Sequence, residues 1–203
     1  MRTNRWWLFL FLSFLVIGCG RGMTYSLLVR YQPAKEFPAL KEKMGPTLGL
    51  APFKDERKET LYIGYHSPYT GTSSYFKSDP FPLEKAMTDT LSQALSRSGI
   101  KAVSLSNWDG KPESLKAIET DSVLMIEIKK FWMEGKASTF RTTLRTMVHL
   151  VISLGVKKDG KVYTRNVEVE KEVTLARLNP VIAEQTINQI LTDVFDAFFL
   201  NPY

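Results

Sequence analysis

The 203-residue chain is poor in the residues that most site chemistry uses. It has one cysteine, Cys19, and two histidines, His66 and His149. A single cysteine excludes a disulfide within the chain, even in a compartment that would permit one. Two histidines exclude a histidine-rich metal centre. The sequence contains no G-x-S-x-G, no H-E-x-x-H, no P-loop and no G-x-G-x-x-G. There is no internal repeat and no long low-complexity run. Charge of one sign does not dominate either, with 27 Lys and Arg against 21 Asp and Glu, a net charge of +6. That balance is not the footprint of a nucleic-acid binder. These absences predict a protein that is not an enzyme, with no catalytic residues, no metal, no cofactor and no nucleic-acid partner.

The N-terminus carries the clearest signal. Arg2 and Arg5 form a short positive leader without acids. Trp6 to Val16 is then apolar, interrupted only by Ser13. Such a run has secretory length and falls short of the about 20 residues that a spanning helix needs. It ends at Val16-Ile17-Gly18-Cys19, which resembles the lipobox of bacterial lipoprotein signal peptides. The resemblance implies cleavage between Gly18 and Cys19 and acylation of the Cys19 sulfur. Each buried methylene adds roughly 0.8 kcal/mol of membrane affinity, so two or three acyl chains hold firmly. An ordinary signal peptide, or an uncleaved anchor with an incidental cysteine, is the alternative. An aspartate after the cysteine resembles an inner-membrane retention signal, and Gly20 stands there instead. The expected location is the cell envelope, on the periplasmic face of the outer membrane. Removing residues 1–18 leaves 185 of 203 residues and lowers +6 by two to +4. That suits one domain with a real core.

The mature chain divides into a lipidated cysteine and tether at 19–46 and a globular domain at 47–203. Within the tether, Tyr25 to Tyr31 could form a first, edge strand. Leu48 to Phe53 reads as a strand. Leu83, Met87, Leu91, Ala94 and Leu95 recur at helical spacing, and Gly99 supplies the stop. Ile100 to Leu105 reads as a strand and Pro112 to Glu119 as a short helix. Period-two alternation follows. Leu124, Ile126 and Ile128 share one face, with Trp132 further along, and Gly135 marks a turn. Phe140, Leu144, Val148, Leu150, Ile152, Leu154 and Val156 share one face of the next strand. Asp159-Gly160 reads as a two-residue hairpin turn, pairing Val156 with Tyr163, Ile152 with Val167 and His149 with Glu170. Asn179-Pro180 caps a final helix with a stripe of Ile187, Ile190, Leu191, Val194 and Phe198. The order is β-α-β-(α)-β-β-β-α. It implies an α+β fold, a single mixed and largely antiparallel sheet with two main amphipathic helices on one face.

Two places could carry binding. Opposite Glu170, His149 could be a base with its orienter, or an ordinary cross-strand pair on a solvated face. The neighbouring Lys129, Arg141, Arg145, Glu168, Glu170 and Glu172 favour a charge-laced outer face. Residues 54–80 read as a long, turn-rich loop, a length that is often functional. Its Tyr62, Tyr65, His66, Tyr69 and Tyr75 form a possible partner-binding surface, since aromatics supply rigid contact area. The alternative is that these rings fold back on the core.

Pro52, Phe53, Asp55 and Arg57, then Ile63-Gly64, then a helix ending before Gly99 to Val103, resemble the YajG-like family of bacterial lipoproteins. The pattern also overlaps with ABC-transport auxiliary lipoproteins. The resemblance implies an accessory or binding role beside an envelope protein partner and brings no catalytic residues. It matches Asp55 and Arg57, for which an ion pair holding the turn is the expected job. An auxiliary subunit of a lipid-exporting ABC system and a cell-wall enzyme activator are the alternative functions.

Overall fold

The computed structural model describes residues 22–202. The leader, the Gly18–Cys19 junction and Cys19 itself lie outside the described residues. The elements run β1 (Thr24–Leu28), α1 (Leu40–Met44), β2 (Thr47–Leu50), β3 (Lys54–Asp55), β4 (Gly64–Ser67) and β5 (Ser74–Asp79). Then come α2 (Leu83–Arg97), β6 (Lys101–Ser104), a 3-10 turn (Glu113–Ala117), β7 (Ser122–Ala137), β8 (Thr142–Val156), β9 (Lys161–Leu175) and α3 (Pro180–Leu200).

The long alternating segments make the frame. β7 pairs antiparallel with β8 and β8 with β9 along nearly their whole length. The other edge of β7 takes three short parallel strands in succession, β2 at its start, β3 at its middle and β4 at its end. β6 adds outside β2, β5 pairs antiparallel with β4, and β1 closes that edge parallel to β5. The result is one mixed sheet of nine strands. Its long pairings are antiparallel and its short ones mostly parallel. α2 and α3 pack their apolar stripes on one face, so the α+β reading with two main helices holds.

The helix signals act as their chemistry predicts. The Asn179 side chain accepts a hydrogen bond from Ile182 N at 2.9 Å and Pro180 opens α3. Its stripe of Ile187, Ile190, Leu191, Val194 and Phe198 is buried. α2 buries Leu83, Met87, Leu91 and Leu95, and Gly99 follows its end with φ +74°. A smaller apolar cluster of Ala51, Trp108, Leu115, Val123 and Met125 lies on the opposite sheet face, beneath residues 105–118.

Four details differ from the sequence reading. The stretch expected as tether is folded from Thr24 onward: β1 is an edge strand, and Leu27, Val29, Tyr31, Phe37, Leu40 and Met44 enter the core. Leu27, Val29 and Tyr31 alternate and Leu40 and Met44 are one helical turn apart, but the prolines between them hide that both sets reach the same core. Second, residues 54–80 are no open loop, since they hold β3, β4 and β5.

Third, the β8–β9 connection uses four residues, with Val156 opposite Lys161. Asp159 N bonds Val156 O at 3.2 Å, Gly160 N bonds Lys157 O at 3.2 Å, and Gly160 takes φ +61°. The glycine thus supplies one left-handed residue at the end of a longer turn. Pairing shifts by two, so Leu150 meets Val167 and Val148 meets Val169. A shift of two keeps every side chain on its face, which is why the apolar pattern could not detect it.

Fourth, β7 does not turn at Gly135. It continues to Ala137, and the reversal comes at 138–141, leaving Phe140 outside the core. A Cβ on Gly135 would lie 2.5 Å from Leu178 Cδ2, so this glycine serves close packing. Midway, the pairing with β8 shifts between Ile128 and Lys130, a β-bulge at Lys129. The extra residue reverses the alternation. Leu124, Ile126 and Ile128 face the helices before it, and Phe131 and Met133 after it, so Trp132 turns to the outer face.

Candidate functional site

The region around residues 55–75 is fixed by one buried cation. Arg57 Nη2 lies 2.6 Å from Asp55 Oδ2 and its Nε donates to Oδ1 at 2.8 Å. Both side chains are nearly solvent-free. The remaining donors reach carbonyls of Tyr62 at 3.0 Å, Phe131 at 3.3 Å and Thr60 at 3.3 Å. The planar guanidinium suits this task, since it offers five donors in a fixed fork. The resemblance-based expectation of an ion pair at this turn agrees with the geometry. Beyond it, Ile63 N bonds Phe76 O at 2.8 Å and Met133 N bonds Ile63 O at 2.9 Å. Gly64, with φ +155°, lets the backbones meet: a Cβ there would be 2.3 Å from Met133 O.

This framework holds an aromatic platform on the outer sheet face. Tyr65 lies directly opposite Tyr75 on β5 and opposite Glu134 on β7. The Tyr62 and Tyr75 rings stack with centroids 4.7 Å apart. Tyr65 leans on Trp132 at 6.1 Å and its hydroxyl donates to Glu134. Lys136 Nζ reaches the same carboxylate at 2.9 Å. The hydrogen bond to Glu134 holds the Tyr65 hydroxyl above its usual pKa. The same bond, followed by Lys136, holds the Glu134 carboxyl below the ordinary range. Such paired groups leave the rings as the platform's contact surface. Beside it, a recess of about 370 Å³ opens between Lys58, Lys129, Lys130 and Trp132.

Of the five aromatic candidates, the fold joins Tyr62, Tyr65 and Tyr75. His66 alternates to the inner side, where its ring edge approaches Gly135, and burial lowers its pKa. Tyr69 stands apart and exposed in the β4–β5 connection. Trp132 and Glu134 complete the platform and were not singled out by sequence. Their signal was present, in apolar positions that pass from even numbers at 124–128 to odd numbers at 131 and 133.

The His149–Glu170 pair does not form. Register places Glu168 opposite His149, whose Nε2 lies 2.6 Å from Asn166 Oδ1. Glu170 instead accepts from Arg145 Nε at 2.6 Å. Lys129 bridges Glu56 at 2.6 Å and Glu127 at 2.7 Å. The outer face is charge-laced as expected. Among the described residues no group of three or more His, Cys, Asp and Glu could hold a metal ion.

A second polar arrangement was not foreseen. On α3, Glu184, Asn188, Thr192 and Asp196 form a row at four-residue spacing along one side of the helix. Each grips the backbone between the end of β1 and Ala34. Glu184 accepts from Leu28 N at 2.9 Å, Asn188 accepts from Arg30 N at 2.8 Å and donates to Leu28 O at 2.9 Å. Thr192 donates to Gln32 O at 3.1 Å and Asp196 accepts from Ala34 N at 3.1 Å. Asp196 also receives the Tyr31 hydroxyl at 2.9 Å, and burial followed by this bond pushes the phenol well above its ordinary pKa. A polar groove of about 680 Å³ runs alongside.

No protein-family model and no curated protein matches the chain. Solved structures do match by fold. A protein of Xanthomonas campestris from the DUF330 family aligns with TM-score 0.57 and 17% identity, over 88% of this chain and 93% of that one. A putative neuraminyllactose-binding hemagglutinin homolog of Helicobacter pylori aligns with TM-score 0.44 and 13% identity, over 84% and 90%. Lipoprotein GNA1162 of Neisseria meningitidis aligns with TM-score 0.41 and 12% identity, over 74% and 98%. The first likeness shows a shared fold. The other two are looser, and the YajG-like resemblance rests on the sequence motifs alone.

Proposed function

We propose that the chain is a lipid-anchored lipoprotein of the cell envelope, held by acyl chains on Cys19 at the periplasmic face of the outer membrane. There it binds another envelope component without catalysing a reaction. The binding face is the platform of Tyr62, Tyr65, Tyr75 and Trp132. The observation that carries this reading is the outward turn of Trp132 at the Lys129 bulge, which joins it to Tyr65 and Tyr75 on paired strands and to Tyr62 stacked on Tyr75. Rigid aromatics on a fixed scaffold give contact area at low ordering cost, and bulges are known to re-aim side chains at functional edges.

The test is photo-crosslinking in cells from a benzophenone amino acid at Tyr75, with Arg97 on α2 as the control position. An adduct at Tyr75 that disappears with Trp132→Ala supports the platform. Equal adducts at both positions sink it. If the adduct is an ATPase–permease complex, the role is that of a transport auxiliary subunit.

A further inference from the structure

Four of the most exposed large apolar residues gather at one end of the sheet. Strand direction defines that end: β4 and β7 finish there, and β1, β5 and β8 begin there. Met23 enters beside it, its carbonyl accepting from Tyr75 N at 2.9 Å. Tyr69 projects from the β4–β5 connection and Phe140 from the β7–β8 turn. Val181 opens α3, one turn before Glu184 meets Leu28. Their exposures are 59% for Met23, 66% for Tyr69, 89% for Phe140 and 62% for Val181. Single exposed apolar residues need no explanation, but here the four most exposed large ones share one end of the sheet.

Two further observations name what covers this end. The first is chain length. Two residues, Gly20 and Arg21, lie between Cys19 and Gly22, and the three steps, fully extended, span at most about 11 Å. Gly22 is already packed against Ser73, so an anchor on Cys19 leaves this end almost no freedom to stand off. The second is charge. The connections at this end, residues 68–73, 137–141 and 175–181, contain Arg141 and Arg177 and no acid. At the other end the connections mix both signs, Asp109, Glu113, Glu119, Asp121 and Asp159 with Lys111, Lys116, Lys157 and Lys158, so only the first end is purely basic.

We propose that this end of the sheet is seated on the bilayer, with Tyr69, Phe140, Val181 and Met23 in the interfacial layer and Arg141 and Arg177 at anionic headgroups. The arrangement follows the chemistry of interfacial anchors, aromatic rings at headgroup level with basic residues beside them. The proposal deepens the anchoring reading and rests on it. Its consequence is a fixed orientation: the β strands stand up from the membrane and the platform faces sideways, close to the lipid.

Because Cys19 is the only native cysteine, acylation leaves an introduced cysteine as the sole free thiol. The full chain with its leader is expressed as Phe140→Cys or Asp159→Cys, labelled with a fluorophore, and reconstituted in phosphatidylethanolamine–phosphatidylglycerol vesicles carrying brominated acyl chains. The label at 140 is expected to be quenched roughly twofold or more, matching an interfacial depth of about 5–10 Å. The label at 159, about 45 Å away along the strands at 3.3 Å per residue, is expected to be unchanged. Equal quenching at both positions overturns the proposal. So does a label at 140 that is shielded from aqueous iodide but untouched by the lipid, because a second copy then covers this end. Arg141→Glu with Arg177→Glu is expected to reduce quenching at 140, and parental quenching overturns the headgroup assignment. Mass spectrometry of the N-terminal peptide is the separate check on anchoring: without acyl mass that reading fails, whatever the label reports.

Discussion

Arg57 and Asp55 meet in a bidentate ion pair two residues apart, buried between β3, β7 and the strand entry at Tyr62. Every side of the guanidinium has an acceptor. Removing it strands a buried carboxylate and three backbone carbonyls. Arg57→Ala is therefore expected to cost about 3–5 kcal/mol, read as a lower urea midpoint. Arg57→Lys should recover little, since an ammonium cannot reproduce the fork. A variant as stable as the parent would refute the pin.

The row on α3 predicts a local effect. Asn188→Ala leaves Arg30 N–H and Leu28 C=O unpaired at once. The expected loss is about 1 kcal/mol, because water reaches the exposed Arg30 side. Amide exchange should accelerate at Arg30 and its neighbours before it does in β7 or β8. Uniform acceleration across the sheet would argue that the segment has no separate opening.

Two glycines should respond differently to alanine. At Gly135 the new methyl meets the end of the Leu178 side chain, which can shift. About 1–3 kcal/mol is expected, the range for overpacking. At Gly64 it meets Met133 backbone at φ +155°, where nothing can yield, so Gly64→Ala should be the worse of the two. Thermal unfolding of both variants gives the ranking.

Acid stability follows from the carboxylates. Asp121 accepts from Thr47 N at 2.9 Å and from its hydroxyl, and the hydroxyl bond holds its pKa below the ordinary value. Glu127, held by Lys129, and Glu170, held by Arg145, shift the same way. A group with a depressed native pKa stabilises the fold above its unfolded pKa, about 3.9 for Asp. That contribution is lost as pH falls through the native value. Stability should therefore fall through the acid range. Asp121→Asn should be less stable at neutral pH and should show a shallower acid slope. A parallel slope in parent and variant would contradict the role of the Thr47 contact.

Much of the frame was legible in sequence because local chemistry and global packing agree there. Asn179-Pro180 caps α3 and Gly99 ends α2. The inner face of β8 buries its apolar residues from Leu144 on, and that of β9 half-buries Tyr163, Val167 and Val169 against the core. What escaped depends on distances that no local pattern encodes. The two-residue shift at Lys157–Gly160 changes partners but not faces. The bulge at Lys129 moves Trp132 across the sheet, although Phe131 and Met133 carried the evidence. β3, β4 and β5 are short, and β3 and β4 lie against β7 where Arg57 and Gly64 hold them, with β5 added outside β4. The aromatic cluster was half legible: composition found the tyrosines, and only strand register separates Tyr65 from His66.

The row from Glu184 to Asp196 also has a mechanical meaning. It runs parallel to the segment it grips, so tension arriving along the chain from Gly22 is directed along the helix axis. The bonds at Leu28, Arg30, Gln32 and Ala34 are then strained side by side instead of being peeled off one at a time. Such a joint resists tugging far better than its individual contacts suggest. A pull applied at Gly22 would load the pairing of β1 with β5 before it reached the helix joint.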